Sequence, residues 1–466
     1  MLVRSDVSQL RANQTGEMPR LNIGSSWEVI RSMYRHSYIE WPNSVLPKYG
    51  DNFYIPIFNT YIICNPKLTY DLMVRSPAAS AKGSFFTKEL GNFMGKSVFS
   101  SDGEDWKFTR HLLKKEFAKP KVMKHFGDMS ALIAQHTGEL SSHVENNKPL
   151  DISDMAYHLT FNFISTFLFK RDLSHLFPEI HVGIKSMFDV FEQRFAGPLG
   201  LIPCWTPIPL FLRTRRYREN LLRQVRKLLS ETSNTSYHSE LGKLFSDITV
   251  VDKIKQQEEE GSKSSRWTEE EILFLIVAGH ETTATGVGWM AYAVAQNAEL
   301  QEQLFSEIKD TSLIDEDAQA LWNRLTLHKQ VVSESLRLYP PLPIYARYTD
   351  VDIRLGNVTI PKRTHIKVVN FVTHRHPEYW SNPNKFDPDR FSESRLKNIE
   401  QGSYLPFSLG PRSCTGADMG FAQMVLTLAH LVKNFRFKLA NSRQIILRPS
   451  VSLRANEPIK LALEHR

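Results

Sequence analysis

Between Thr268 and Asn297 the chain carries one unbroken helical pattern whose second and third turns, Ile272 to Gly279, are apolar on every side. A surface helix keeps one polar stripe for water, so a helix apolar all round has to be enclosed on every face. At 1.5 Å per residue this one would run for roughly 45 Å, the width of a large domain. Thr268-Glu269-Glu270-Glu271 has the spacing of a capping box and is expected to open it. A length prior of roughly 150 residues per domain would allow about three domains. With no internal repeat and no clear linker, one large domain around this rod is the simpler organisation.

Composition narrows the class. The chain has 466 residues, 41% hydrophobic, 11% aromatic and 23% charged, which is globular usage and excludes a disordered or collagenous chain. Cys64, Cys204 and Cys414 are three scattered thiols, so no disulfide framework is expected and a reducing compartment is. A net charge of +8 is too small for its size to name a polyanionic partner, and nucleic acid is not expected. Met1 to Arg20 has no apolar core of a signal sequence, and Ile272 to Gly279 is far short of the roughly 20 residues that span a bilayer. The chain reads as soluble and cytoplasmic, or at most peripheral to a membrane.

Short strands are expected at Phe53–Phe58 and Tyr61–Cys64, punctuated by Asn59 and Asn65-Pro66. Apolar positions three and four apart then mark helices near 121–145, 155–170, 176–195, 215–231, 299–308, 325–339 and 417–434. Glu231 to Glu240 and Lys255 to Arg266 read as solvated connections. After Pro340-Pro341-Leu342-Pro343, residues 344–373 alternate in polarity around a Gly356-Asn357 turn, and closing strands follow near 445–463. The fold class is mainly α with a minor β region. Its β-rich part covers about 40–75 and 345–375, and its helical core about 77–340 and 404–436.

The chemistry centres on Cys414, in a loop that runs directly into the 417–434 helix. A thiol at a helix N-terminus, with Arg412 two residues earlier, is placed to ionise. Gly410 and Gly416 would let backbone amides approach the sulfur or a flat ligand closely. In the central helix Ala278 and Gly279 are small, Thr282 can return a hydrogen bond to a main-chain carbonyl, and Glu281 puts an acid beside it. His280-Glu281 begins like a zinc-protease helix, but position 284 is Ala, so that reading fails. Gly286-Val287-Gly288 lies inside a helix with no strand before it, so it is assigned to helix packing and not to dinucleotide binding. Cys64 and Cys204 read as small buried hydrophobes.

Phe407-x-x-Gly410-x-Arg412-x-Cys414-x-Gly416 resembles the haem-ligand loop of the cytochrome P450 family. Three further motifs stand in that family's order: Trp106-Lys107-Phe108-Thr109-Arg110, Ala278-Gly279-His280-Glu281-Thr282 and Glu334-Ser335-Leu336-Arg337. The resemblance covers nearly the whole chain and implies a monomeric haem-thiolate monooxygenase. In that reading Cys414 binds the iron of haem b, while Glu281 and Thr282 pass protons to bound O2. Trp106, Arg110, Arg347 and Arg412 hold the propionates, and Phe407, Gly410, Gly416, Ala278 and Gly279 complete the cofactor site. Arg390 joins Glu334 and Arg337 in a structural network.

By family position the substrate wall includes Phe274, Val277 and Ala278. Phe85, Phe93, Leu342, Ile344 and Val451 are further candidates; all are apolar, which suits a fatty acid, terpene or polyketide. Electrons must come from a separate ferredoxin, flavodoxin or flavoprotein reductase. Lys107, Lys114 and Lys115 belong to a run of seven cations over 107–124 facing Glu116 alone, which reads either as its docking patch or as a solvated helix face. Residues 201–212, followed by the basic run Arg213–Lys227, read as a membrane contact or as an access loop. Two other classes stay open: a peroxide-using or rearranging haem-thiolate enzyme, and a haem-based redox or gas sensor.

Overall fold

The computed structural model describes residues 39–466 apart from 77–80, 172, 196–205, 207–208 and 233–248, and of residues 1–38 only 18–22, 24, 28, 29, 31 and 32. Cys204, most of the 201–208 loop and most of the 231–240 connection therefore lie outside the described residues.

The central helix runs from Ser265 to Ala295, buried along almost all of its length. It starts a turn earlier than the capping-box reading placed it. Ser264 accepts from Trp267 N at 3.3 Å, and Thr268 is fully buried inside the first turns. Glu270 and Glu271 therefore do not cap the helix. They accept Lys96 N at 2.7 Å and Val98 N at 2.8 Å from the loop before the Gly103–Lys114 helix. Pattern alone cannot choose between two hydroxyl residues four apart; packing against that loop does.

The largest neighbour of the central helix is the Ile152–Phe169 helix. Their approach depends on Gly279, where a Cβ would sit 2.7 Å from Ile164 Cγ1. Gly286 meets Met424 of the Ala417–Asn434 helix, and Gly288 meets Ser153, so both glycines serve helix packing. Trp289 is buried and donates to Leu453 O at 2.5 Å. The principal core is the common interior of these helices. Around them lie the Phe126–Gly138, Phe177–Phe195, Pro209–Thr232, Ala298–Ile308 and Thr326–Leu338 helices.

A further helix, Val250–Glu259, corrects the expectation of a solvated connection from Lys255. Thr249 and Asp252 form a capping box, and Val250, Val251 and Ile254 are buried. Its many charges sit on the outer face of an amphipathic helix.

The β region is a four-stranded sheet in which Asn52–Ile55 pairs antiparallel with Thr60–Ile63. That strand runs parallel to Thr364–Val368, which is antiparallel to Tyr345–Thr349. Gly356 has φ +59 in the turn joining Ile353–Leu355 to Val358–Ile360, as the Gly-Asn pair implied. Smaller sheets unite Leu150–Asp151, Lys460–His465 and Phe435–Leu439, and pair Leu447–Pro449 with Leu453–Ala455.

Candidate functional site

The Phe407–Gly416 loop is held in place from three sides. Cys414 N donates to Phe407 O at 2.8 Å and closes the loop on itself. Gly410 adopts φ +69, and a Cβ there would fall 1.9 Å from Met73 O, so only glycine fits. Tyr345 OH donates to Leu405 O at 2.8 Å and receives Ser408 N at 3.1 Å. Gly416 is under no such constraint, since a Cβ would meet Phe117 at an ordinary 3.8 Å. Its N–H bonds to the Cys414 sulfur and favours the thiolate, as does nearby Arg110, but burial raises the thiol pKa by more than these lower it. Arg412, expected as the assisting cation, is turned instead to Asp102. Cys414 is nonetheless solvent-accessible at the start of a helix whose later turns are buried.

On the central helix Phe274, Ala278 and Thr282 share one face and remain partly accessible, while Leu273, Leu275, Val277 and Glu281 are buried. Thr282 Oγ1 donates to Ala278 O at 2.8 Å, the return bond its position suggested. Glu281 points elsewhere. Its Oε1 receives Ser452 Oγ at 2.6 Å, Arg454 Nε at 2.9 Å and Tyr157 OH at 3.4 Å, and Arg454 also reaches Asp189 at 3.6 Å. Acid and alcohol are thus adjacent in sequence but held by different partners. Gly279 also serves the helix contact described above. His280 is fully buried among Tyr157, Phe161, Phe177 and His181.

The cations expected at propionates are all near this loop, but paired differently from their sequence spacing. Arg110 donates to Thr415 Oγ1 and, at 3.4 Å, to Ser413 Oγ, whereas Trp106 lies under Arg412 at 4.1 Å. Arg412 also donates to Asp102 and to Ser101 O at 2.8 Å. Among the described residues Arg347 makes only a bond to Ala346 O at 2.9 Å, and burial lowers its pKa to about 10. Lys82, buried as well, feels the like charges of Arg347 and Arg412. Among the described residues Lys82, Arg347 and Arg412 lie around the single carboxylate of Asp102, and buried charge requires pairing. Two more carboxylates would balance it, and a haem carries two. An accessible cysteine beside such a cluster fits that group.

Behind the loop, Glu334 takes a two-pronged bond from Arg337 at 2.6 and 2.8 Å and a third from Arg390 at 3.3 Å. Glu334 and Arg337 are fully buried. His374 ties this network to the cysteine loop: Nδ1 donates to Arg337 O at 3.1 Å and Nε2 accepts Leu405 N at 2.9 Å. Burial pushes its pKa from 6.5 to about 3. The neutral ring therefore stabilises the fold fully above about pH 6.5, and that contribution is lost as pH falls toward about 3. Thermal midpoints measured across this window are expected to drop, and His374→Asn to flatten part of the slope; equal slopes in the two proteins would contradict the role given to His374.

Among the expected pocket residues Phe274 and Ala278 lie on the accessible stripe; Phe274 stacks on Phe99 with centroids 5.4 Å apart. Phe85 instead packs into an aromatic group with Phe86, Tyr348 and His365. Val277, one residue and about 100° from Ala278, is 1% exposed in the main core, and Phe93 is buried there too. Leu342 is half-buried, Ile344 packs on the second core beside the sheet, and Val451 packs on the first. Of the basic run, Lys114 and Lys115 are exposed, Lys107 is paired with Glu104 at 2.7 Å, and buried Glu116 is shared by Lys121 and Lys253. Residues 209–212 open a helix, with Leu212 exposed.

Lys82, Asp102, Tyr345, His374 and Arg454 had no sequence signal. Asp102 reads as an ordinary cap before Gly103, yet its carboxylate goes to Lys82 N, Gly83 N and Arg412. Only chain crossing brings the others to the site.

The cytochrome P450 family profile matches residues 19–463, and the chain belongs to that family. It is a haem-iron monooxygenase that takes O2 and electrons from a redox partner protein. It is similar to cyclooctatin synthase of Streptomyces melanosporofaciens, 26% identical over 90% of each chain. Cyclooctat-9-en-7-ol 5-monooxygenase of the same organism is 27% identical over 84% of each. Cytochrome P450 3A6 of Oryctolagus cuniculus is 26% identical over 80% of this chain and 77% of its own. No helix among the described residues is long and apolar enough to cross a membrane.

Proposed function

We propose that the chain inserts one oxygen atom into a mid-sized hydrophobic molecule, a fatty acid, terpene or polyketide, using haem b bound through Cys414. The observation that carries this is the accessible stripe of Phe274, Ala278 and Thr282 on an otherwise enclosed helix. It offers carbon surface and one hydroxyl, and no charge to hold a carboxylate. The unsaturated alcohol named in one relative is of that chemical kind.

The iron, once bound, supplies the oxygen chemistry; the chain orients, excludes water and moves protons. Trp106, Arg110, Arg347 and Arg412 hold the cofactor's carboxylates. With its proton on Ala278 O, Thr282 Oγ1 presents lone pairs to the pocket and accepts a hydrogen bond there. Ser452, Arg454 and Tyr157 all engage Oε1 of Glu281, so a relay that includes this acid would have to use Oε2. Lys114 and Lys115, with Lys107, receive an acidic ferredoxin, flavodoxin or reductase.

The test is a carbon monoxide difference spectrum of the reduced protein, followed by titration with an apolar compound library read as a Soret shift. A histidine-type Soret band would overturn the assignment of Cys414. In Thr282→Ala, product per electron is expected to fall by on the order of 10-fold or more while peroxide rises. Unchanged coupling in that variant removes Thr282 from the relay.

A further inference from the structure

Lys367 lies on the Thr364–Val368 strand, which is flanked on one side by Thr60–Ile63 and on the other by Tyr345–Thr349. A lysine on an edge strand blocks pairing with another chain, but an interior strand has no such use for one. Among the described residues its ammonium makes no hydrogen bond or ion pair.

Residues opposite one another across a sheet share a face. Lys367 stands opposite Ile62 and Ala346; His365, two residues earlier and so on the same face, stands opposite Thr60 and Tyr348. Tyr345 and Arg347, on the side of the cysteine loop, project from the other face. Phe85, Phe86 and Tyr348 surround His365, with ring centroids 4.7, 5.7 and 5.0 Å from the imidazole. Lys367, His365, Ala346 and Tyr348 are partly exposed, whereas Ile62 and Phe86 are buried. Burial still lowers the lysine pKa, and burial with the neighbouring lysine charge takes that of His365 to about 4. The ammonium therefore does not reach into bulk water as a surface lysine does. It sits in an accessible recess with apolar walls, one unpaired cation beside one neutral imidazole.

Such a recess is complementary to a monoanion with a hydrocarbon tail. One ammonium balances one negative charge, and the imidazole can give a second hydrogen bond, which together match the two oxygens of a carboxylate. A phosphate monoester, with nearly two charges, would be left half-paired. Ile62, Ala346 and the aromatic rings offer carbon surface to the tail.

We infer that Lys367 and His365 bind the carboxylate of a long-chain acid on this face of the sheet. The inference goes beyond the oxygen-insertion reading: the stripe beside Thr282 has no charge for an acid, and the recess supplies one without involving Cys414.

The experiment titrates purified holoenzyme with decanoate and with 1-decanol by calorimetry, and follows thermal midpoints. Lys367→Met is expected to weaken decanoate about tenfold, as loss of one charge-assisted bond implies, and to leave decanol unchanged. Lys367→Arg keeps decanoate binding, and His365→Phe, which preserves the ring packing, weakens it by a smaller factor. Without ligand, Lys367→Met should melt no lower than wild type, because an unpaired buried charge is removed; a purely structural lysine would give the opposite. Lys362→Met, at an exposed position before the strand, changes neither ligand. Wild-type decanoate affinity in both Lys367→Met and Lys367→Gln overturns the inference, as does tighter binding of decyl phosphate than of decanoate. Neither result touches the assignment of Cys414. A histidine-type Soret band with normal decanoate binding would remove that assignment and leave this one standing.

Discussion

Cys414→Ser is expected to abolish the thiolate-type spectrum of the reduced, carbon monoxide-bound protein and to reduce monooxygenation to background. Serine keeps the loop's shape and its Cys414-type backbone bond to Phe407 O, so the change isolates the sulfur. No other thiol among the described residues can substitute. Cys64 lies fully buried beside the four-stranded sheet, where burial raises its pKa, and Thr373 Oγ1 donates to its carbonyl. The matched expectation is that Cys64→Ser leaves the spectrum unaltered. A thiolate-type band surviving in Cys414→Ser would refute the ligand assignment, and the site built around it would have to be abandoned.

The second large effect is on stability. Glu334→Gln should destabilise the protein by about 3–5 kcal/mol, the usual consequence of removing one member of a buried charge network. Glu334 is completely buried, accepts from Arg337 and Arg390, and also receives Asp387 N at 2.8 Å. Without its charge two buried guanidiniums lose their counter-ion. Arg337 would still donate to His374 O and Pro383 O, both at 2.7 Å, so the loss is electrostatic before it is geometric. Because His374 connects this network to Leu405, the cysteine loop should loosen as well, and haem should be lost at a lower denaturant concentration than in the wild type. Arg395→Ala provides the contrast. Arg395 pairs with Asp387 and Asp389 at a solvent-exposed edge, and its removal should cost less than about 1 kcal/mol. Equal denaturation midpoints for the Glu334 and Arg395 variants would show that burial does not set the strength of the network.

The residues most easily read from the chain were those whose roles depend on neighbours in sequence. Glu334 and Arg337 are three apart on one helix and meet as that spacing requires. Thr282 returns its hydroxyl proton to Ala278, four residues back, for the same reason. Trp106 and Arg110 show where this logic ends. Four residues apart, they share a helix face, but Trp106 lies under Arg412 and Arg110 reaches Thr415. The side chains follow partners brought from another part of the chain. Val277 packs in the main core and Phe85 among aromatic neighbours for a related reason, since apolar character does not distinguish a cavity wall from a core.

The sequence by itself determined the mainly helical class, the enclosed central helix, the cysteine loop and the family, because each is written in local periodicity or in a contiguous motif. Only the tertiary structure decided that Ser264 caps the central helix, that Glu281 is held by Arg454, and that Lys82, Arg347 and Arg412 gather around one Asp102. Those outcomes turn on charge and burial summed over segments hundreds of residues apart, and a linear pattern carries no term for the distance between them.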